Sequence, residues 1–168
     1  IDLLRCPMPM RNADKELTDT AQRVGRMAFY GEVAEIDSSQ GRIRIRSGDI
    51  LTGWLPFGAV RAGEDRTWSA PEPGEQVMVV CPNGDVNQGC VVCSLYREQH
   101  SAPADDINIT RQVWKDGTVQ EYDREKHRWT LKLNPSGTFR VEVGSSLFEL
   151  TGDKLILKAS RVDLAPKE

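Results

Sequence analysis

The chain has 168 residues, 39 % apolar and 28 % charged, a balance that suits a folded protein of one medium or two small domains. A net charge of −3 supplies no global attraction for nucleic acid or an anionic membrane, so either would need a local basic patch. No apolar run approaches the roughly 20 residues that cross a bilayer, and Ile1–Met10 (IDLLRCPMPM) has neither the charged start nor the long apolar stretch of a signal peptide. Synthesis in the cytoplasm is therefore expected.

Residues 1–27 read as an N-terminal arm. A Pro-interrupted apolar stretch leads into Asp14–Met27, where Leu17, Ala21 and Val24 recur at helical spacing while Thr18, Thr20 and Gly25 weaken the helix. Such a helix can lie on its own domain or grip a partner.

Residues 28–97 contain five short apolar-alternating stretches separated by Gly, Pro and Asp: Phe29–Asp37, Arg42–Arg46, Leu51–Pro56, Glu75–Cys81 and Gly89–Leu95. A loop of about 18 residues, Phe57–Gly74, joins the third to the fourth. Five strands with one long connection at this place predict an OB-type barrel, with an SH3-like barrel as the nearest competitor. These barrels often bind single-stranded nucleic acid through basic and aromatic residues on strands two and three. Arg42, Arg44 and Arg46 would share one face of strand two beside Trp54 and Phe57, opposite Ile43 and Ile45. However, any half-exposed strand needs that alternation, and Asp49, Glu64, Asp65, Glu72 and Glu75 offset the charge.

The cysteines are Cys6, Cys81, Cys90 and Cys93. Cys90 and Cys93 form a C-x-x-C, but in a strand, residues three apart point to opposite faces, so the pair is expected to diverge and to act as small apolar side chains. A zinc site wants four ligands, and neither His100 nor His127 stands at zinc-finger spacing.

Residues 98–109 form a polar linker, and residues 110–168 are rich in short strands. Val113–Tyr122 predicts a hairpin turning at Asp116-Gly117, and Arg128–Leu133 followed by Thr138–Val143 predicts a second turning at Pro135-Ser136-Gly137. From Val141 the chain repeats every seven residues as VEVGSSL, FELTGDK, LILKASR and VDLAPKE. In each unit the first and third positions are apolar: Val141 and Val143, Phe148 and Leu150, Leu155 and Leu157, Val162 and Leu164. Residues two apart lie about 200° around a helix and cannot share a coiled-coil seam, whereas on a strand they share a face. Each unit is thus a short strand followed by a small or polar corner such as Gly144-Ser145-Ser146, Gly152-Asp153 or Ala159-Ser160.

A ribbon of such strands has one apolar face and two bare edges, and it is marginal alone. Copies related by cyclic symmetry would cover both. The expected solution is an intertwined homotrimeric β-helix or β-prism with those eight side chains as its core. A dimeric sandwich is second.

The run GDILTGWLPFGAVRAGEDRTWSAPEPGEQVMVVCPNGDVNQGCVV (Gly48–Val92), followed by DGTVQEYDREKHRWTL (Asp116–Leu131), resembles the baseplate assembly protein V family, the central spikes of contractile phage tails and tail-like bacteriocins. The combination of W-L-P, D-R-T-W, G-E-Q-V, Q-G and D-G-T-x-x-x-Y-D carries the resemblance, which extends from about Gly31 onward. It implies an all-β fold: an N-terminal region on the tail hub protein, an OB domain, then a trimeric β-helical needle. It further implies a particle assembled in the bacterial cytoplasm, whose spike the contracting sheath drives through the target outer membrane. Several members end in an H-x-H apex that binds iron on the trimer axis. No His follows His127 here, so no metal or other cofactor is expected: either an apex continues the chain past Glu168, or a separate tip protein is the cap.

Some related spikes carry a lysozyme domain between barrel and needle, but the linker of about a dozen residues is too short for one. Asp105-Asp106 and the Glu121, Asp123 pair lack an apolar pocket that would raise a carboxyl pKa. No catalytic residues, phosphate-cradling Gly loop or metal cluster stand out. A non-enzymatic spike is expected; the alternative is a barrel that binds single-stranded nucleic acid and carries an oligomerising tail.

Overall fold

The computed structural model describes residues 10–162. Cys6 and Leu164 lie outside them. The chain divides into two compact units, Ile1–Ser101 and Ala102–Glu168.

The first unit begins with helix α1, Met10–Gly25, which starts four residues before the expected Asp14 and ends two residues before Met27. From Asp14 on its side chains are exposed, Leu17 at 68 % and Val24 at 59 %. The helix therefore gains little from burial, and its C-terminal end is what ties it down. Arg23 Nε donates to the Asn83 carbonyl at 3.1 Å, and the Cys81 amide donates to Met27 O at 2.7 Å. Gly84, at φ +72°, lies so close beneath this end that a Cβ would collide with the backbone of Arg23. Only glycine combines that φ with that approach.

Five stretches then make the barrel: β1 (Ala28–Asp37), β2 (Arg42–Ser47), β3 (Ile50–Leu51) with β4 (Leu55–Pro56), β5 (Gln76–Val80) and β6 (Cys90–Leu95). β1 pairs antiparallel with both β2 and β5, β2 with β3 and β4, and β5 with β6. A parallel bridge from Phe57 to Val91 closes the ring. This is the OB order, with the interrupted third strand lying parallel to the last. Ile43 and Ile45 are fully buried between exposed or half-buried arginines. With Val33, Leu55, Val77, Val79, Cys81 and Val91 they form the core, each large aliphatic side chain adding about 1.5–3 kcal/mol.

Two local features depart from the sequence reading. The expected strand Leu51–Pro56 is broken, because Thr52 replaces a ladder partner with its side chain. Its Oγ1 accepts the Ile45 amide at 2.9 Å and donates to the Gly53 carbonyl at 2.8 Å, so Thr52, Gly53 and Trp54 leave the sheet. The second feature is a β-bulge. Met78 pairs with Cys93 but Val79 with Val91, leaving Val92 as the extra residue. Cys90 and Cys93 therefore stand opposite Val80 and Met78, two residues apart on β5, and share the outer face of the barrel. The expected divergence of these two cysteines is corrected by that one-residue slip.

The second unit contains two three-stranded antiparallel sheets, β7 (Ile109–Val113), β8 (Val119–Asp123) and β9 (Arg128–Lys132), then β10 (Phe139–Val143), β11 (Ser146–Leu150) and β12 (Leu155–Lys158). The β7–β8 hairpin turns where expected: Asp116 accepts the Thr118 amide at 2.9 Å and Gly117 takes φ +85°. The expected hairpin of Arg128–Leu133 with Thr138–Val143 does not form. β9 pairs with β8 and β10 with β11. Asn134 redirects the chain between them: its Oδ1 accepts the Ser136 amide at 3.0 Å, its Nδ2 donates to the Asp116 carbonyl at 2.7 Å, and its carbonyl accepts the Gly137 amide at 2.7 Å.

Candidate functional site

Register fixes which side chains of the second unit share a face. Val141 pairs with Phe148, and Phe148 with Leu157; Leu150 stands between Phe139 and Leu155. Six of the eight proposed core residues thus lie in two cross-strand rows or beside them, Val143 extending the face along β10. Val162 follows β12 and lines a groove of about 240 Å³ with Val141, Val143, Phe148 and Leu157. Phe139, absent from the repeat, meets Phe148 edge-on with ring centroids 6.0 Å apart.

Among the described residues this face is bare. Exposure runs from 36 % at Phe148 to 75 % at Val143, far above that of the barrel core. The opposite face carries Arg140, Glu142, Glu149 and Lys158 beside the half-buried Leu147 and Ile156, and there Arg140 Nε donates to Glu142 at 2.8 Å and its Nη1 to Glu149 at 3.0 Å. The two faces therefore differ: one holds an ion-pair cluster around Arg140, and the other exposes apolar side chains.

The apolar surface continues beyond the repeat. Trp129, Leu131 and Leu133 line a groove of about 540 Å³ together with Phe139, Phe148 and Leu150. Trp129 is 63 % exposed and stands 6.2 Å from Tyr122, its cross-strand partner. The seven-residue period does not reach these residues. The spacing of two between Trp129, Leu131 and Leu133 was the available signal.

The barrel arginines are largely occupied by their own fold. Arg42 Nη1 donates to the Trp54 carbonyl at 3.1 Å. Arg44 donates to the Thr52 carbonyl at 3.0 Å and to Glu35 at 3.1 Å, and lies 5.8 Å over the Trp54 ring. They hold the looped third strand against β2. The Cys81 thiol is pushed up chiefly by burial, then by Asp85 and Cys90 nearby, which keeps it protonated and unreactive. The donor set for an axial iron does not fit here: neither His100 nor His127 belongs to an H-x-H pair, and the described residues hold no group of three or more His, Cys, Asp or Glu suited to a metal ion.

Helix, closed barrel and meander define an OB-barrel protein with a β extension whose distinctive surface is an exposed apolar face. Residues 29–96 match the family model of the type VI secretion system/phage-baseplate injector OB domain. That match falls on the barrel and is to the family that the sequence resembles. Over 159 residues it is 29 % identical to the spike protein of Escherichia phage P2, covering 94 % of this chain and 74 % of that protein.

Proposed function

We propose that the chain is the non-enzymatic central spike of a contractile tail baseplate, a homotrimer joined through residues 110–168. The OB-domain family and the spike-protein relative support a structural baseplate role. The observation that carries the trimer is the exposed apolar face from Trp129 to Leu157, set against a face whose Arg140 is already paired with Glu142 and Glu149. Three copies about one axis would turn these faces inward and give the edges of β10 and β12 strands to pair with. Unfolding one chain would then require breaking contacts with two others, which suits a part that must stay stiff as sheath contraction drives it through an outer membrane.

In this reading α1 and the barrel meet the tail hub, since Leu17 and Val24 remain bare on a helix fixed at its C-terminal end. A separate tip protein is a further partner, no cofactor takes part, and assembly takes place in the bacterial cytoplasm. Light scattering at micromolar concentration tests the central claim. A mass three times that of the 18.8 kDa chain is expected; a monomer would sink it.

A further inference from the structure

One row of the apolar face is polar. Gln112 pairs with Gln120 across β7 and β8, and Gln120 with Leu131 across β8 and β9. The next row is Thr110, Tyr122 and Trp129. By strand alternation these rows share the side that carries Trp129 and Leu131, while Arg111 and Glu121 stand on the other. The ion pair on that other side is internally satisfied: Arg111 Nε donates to Glu121 at 2.7 Å and its Nη1 to the Pro103 carbonyl at 2.7 Å. The two amides thus sit between Tyr122 with Trp129 on one side and Leu133 on the other.

We propose that Gln112 and Gln120 form a polar layer inside the trimer interface and fix the alignment of the three chains. The proposal rests on the trimer reading above. Three copies bring six amides together, each with donors and an acceptor, so they can bond one another across chains. Sliding one chain by two residues, about 7 Å along a strand, sets its amides against a neighbour's Tyr122 and Trp129. A buried amide without a partner is costly. An all-apolar row would tolerate the slide, since apolar contact has no direction. A single polar position setting register and copy number at some cost in stability is the known use of such groups in helical assemblies.

Two variants of the full chain test this beside the wild type. Gln112→Leu with Gln120→Leu should still associate and melt at a higher temperature, while native mass spectrometry shows dimers and larger species alongside trimers. A variant that stays uniquely trimeric overturns the alignment role. Gln120→Glu should weaken the trimer at least tenfold at pH 7 and recover at pH 4.5, because carboxylates converge on the axis and then take up protons. Among the described residues of these two rows the other titratable group is the Tyr122 phenol, and the wild type carries it too. An exposed position 120 would show no pH effect beyond that of the wild type, and this result also overturns the layer. A monomeric wild type refutes the trimer itself; a trimeric wild type with unresponsive variants refutes the layer alone.

Discussion

Phe57 and Val91 meet in a parallel bridge, with the Gly58 amide donating to the Val91 carbonyl at 2.8 Å. This contact shuts the barrel and also anchors the long loop, because Trp68 packs edge-on against Phe57 at 5.6 Å. Phe57→Ala should therefore do more than empty a half-buried site. A loss of about 2–3 kcal/mol is expected from urea unfolding, together with faster amide exchange at Thr67, whose amide is held by the Arg61 carbonyl. Unchanged exchange there would show that the loop holds itself.

Thr52 provides a sharper test, since its hydroxyl does the work of two backbone groups. Thr52→Val keeps the shape but leaves the Ile45 amide and the Gly53 carbonyl without this partner. Burial of an unpaired amide costs about 1–3 kcal/mol. The urea midpoint should fall accordingly with the slope unchanged; a fall below about 0.5 kcal/mol would mean that the third strand heals its break.

Leu155→Asp places one carboxylate per chain on the apolar face, beside its cross-strand partner Leu150. In a trimer three charges would gather near the axis, so the mass measured by light scattering should drop to that of one chain. A trimer of unchanged mass and melting temperature would move Leu155 off the axis.

Acid should loosen two turns. Asp123 lies below the ordinary carboxylate range chiefly because it accepts the Lys126 amide, helped by the Lys126 ammonium and then the Glu125 amide. Asp37 is lowered chiefly by the Ser39 hydroxyl, then by the Gln40 amide. A carboxyl lowered on folding stabilises fully above its unfolded pKa of about 3.9 and loses that contribution as pH falls through the folded value. Stability should thus be flat from pH 7 to 5 and fall below about 4. Asp123→Asn should flatten part of that fall in the second unit, read from the urea midpoint at pH 3 and pH 6; equal slopes in variant and wild type would remove Asp123 from the account.

The parts legible in the sequence are those set by local alternation. Arg42 to Arg46 alternates with Ile43 and Ile45 whatever it pairs with, and Asp116-Gly117 turns on its own chemistry. Features that depend on a distant partner were not legible. The Val92 bulge, which brings Cys90 and Cys93 to one face, exists only in the β5–β6 register. The break at Thr52 needs the Ile45 amide, and the separation of β9 from β10 depends on Asn134 reaching back to Asp116. On the second unit's apolar face the repeat marked the rows from Val141 on, but its period concealed Trp129, Leu131 and Phe139, which continue the same surface without the same spacing.

The attachment of α1 has a mechanical consequence. A helix joined through a loose hinge would swivel and let a load on it dissipate. Here the hydrogen bonds from Arg23 to Asn83 and from Cys81 to Met27, with Gly84 pressed under the last turn, seat the helix as a lever with a fixed root and bare sides. A partner that grasps its exposed flank takes hold of the barrel too, so torque or thrust on α1 passes into β5 and its neighbours instead of bending the chain at Gly25.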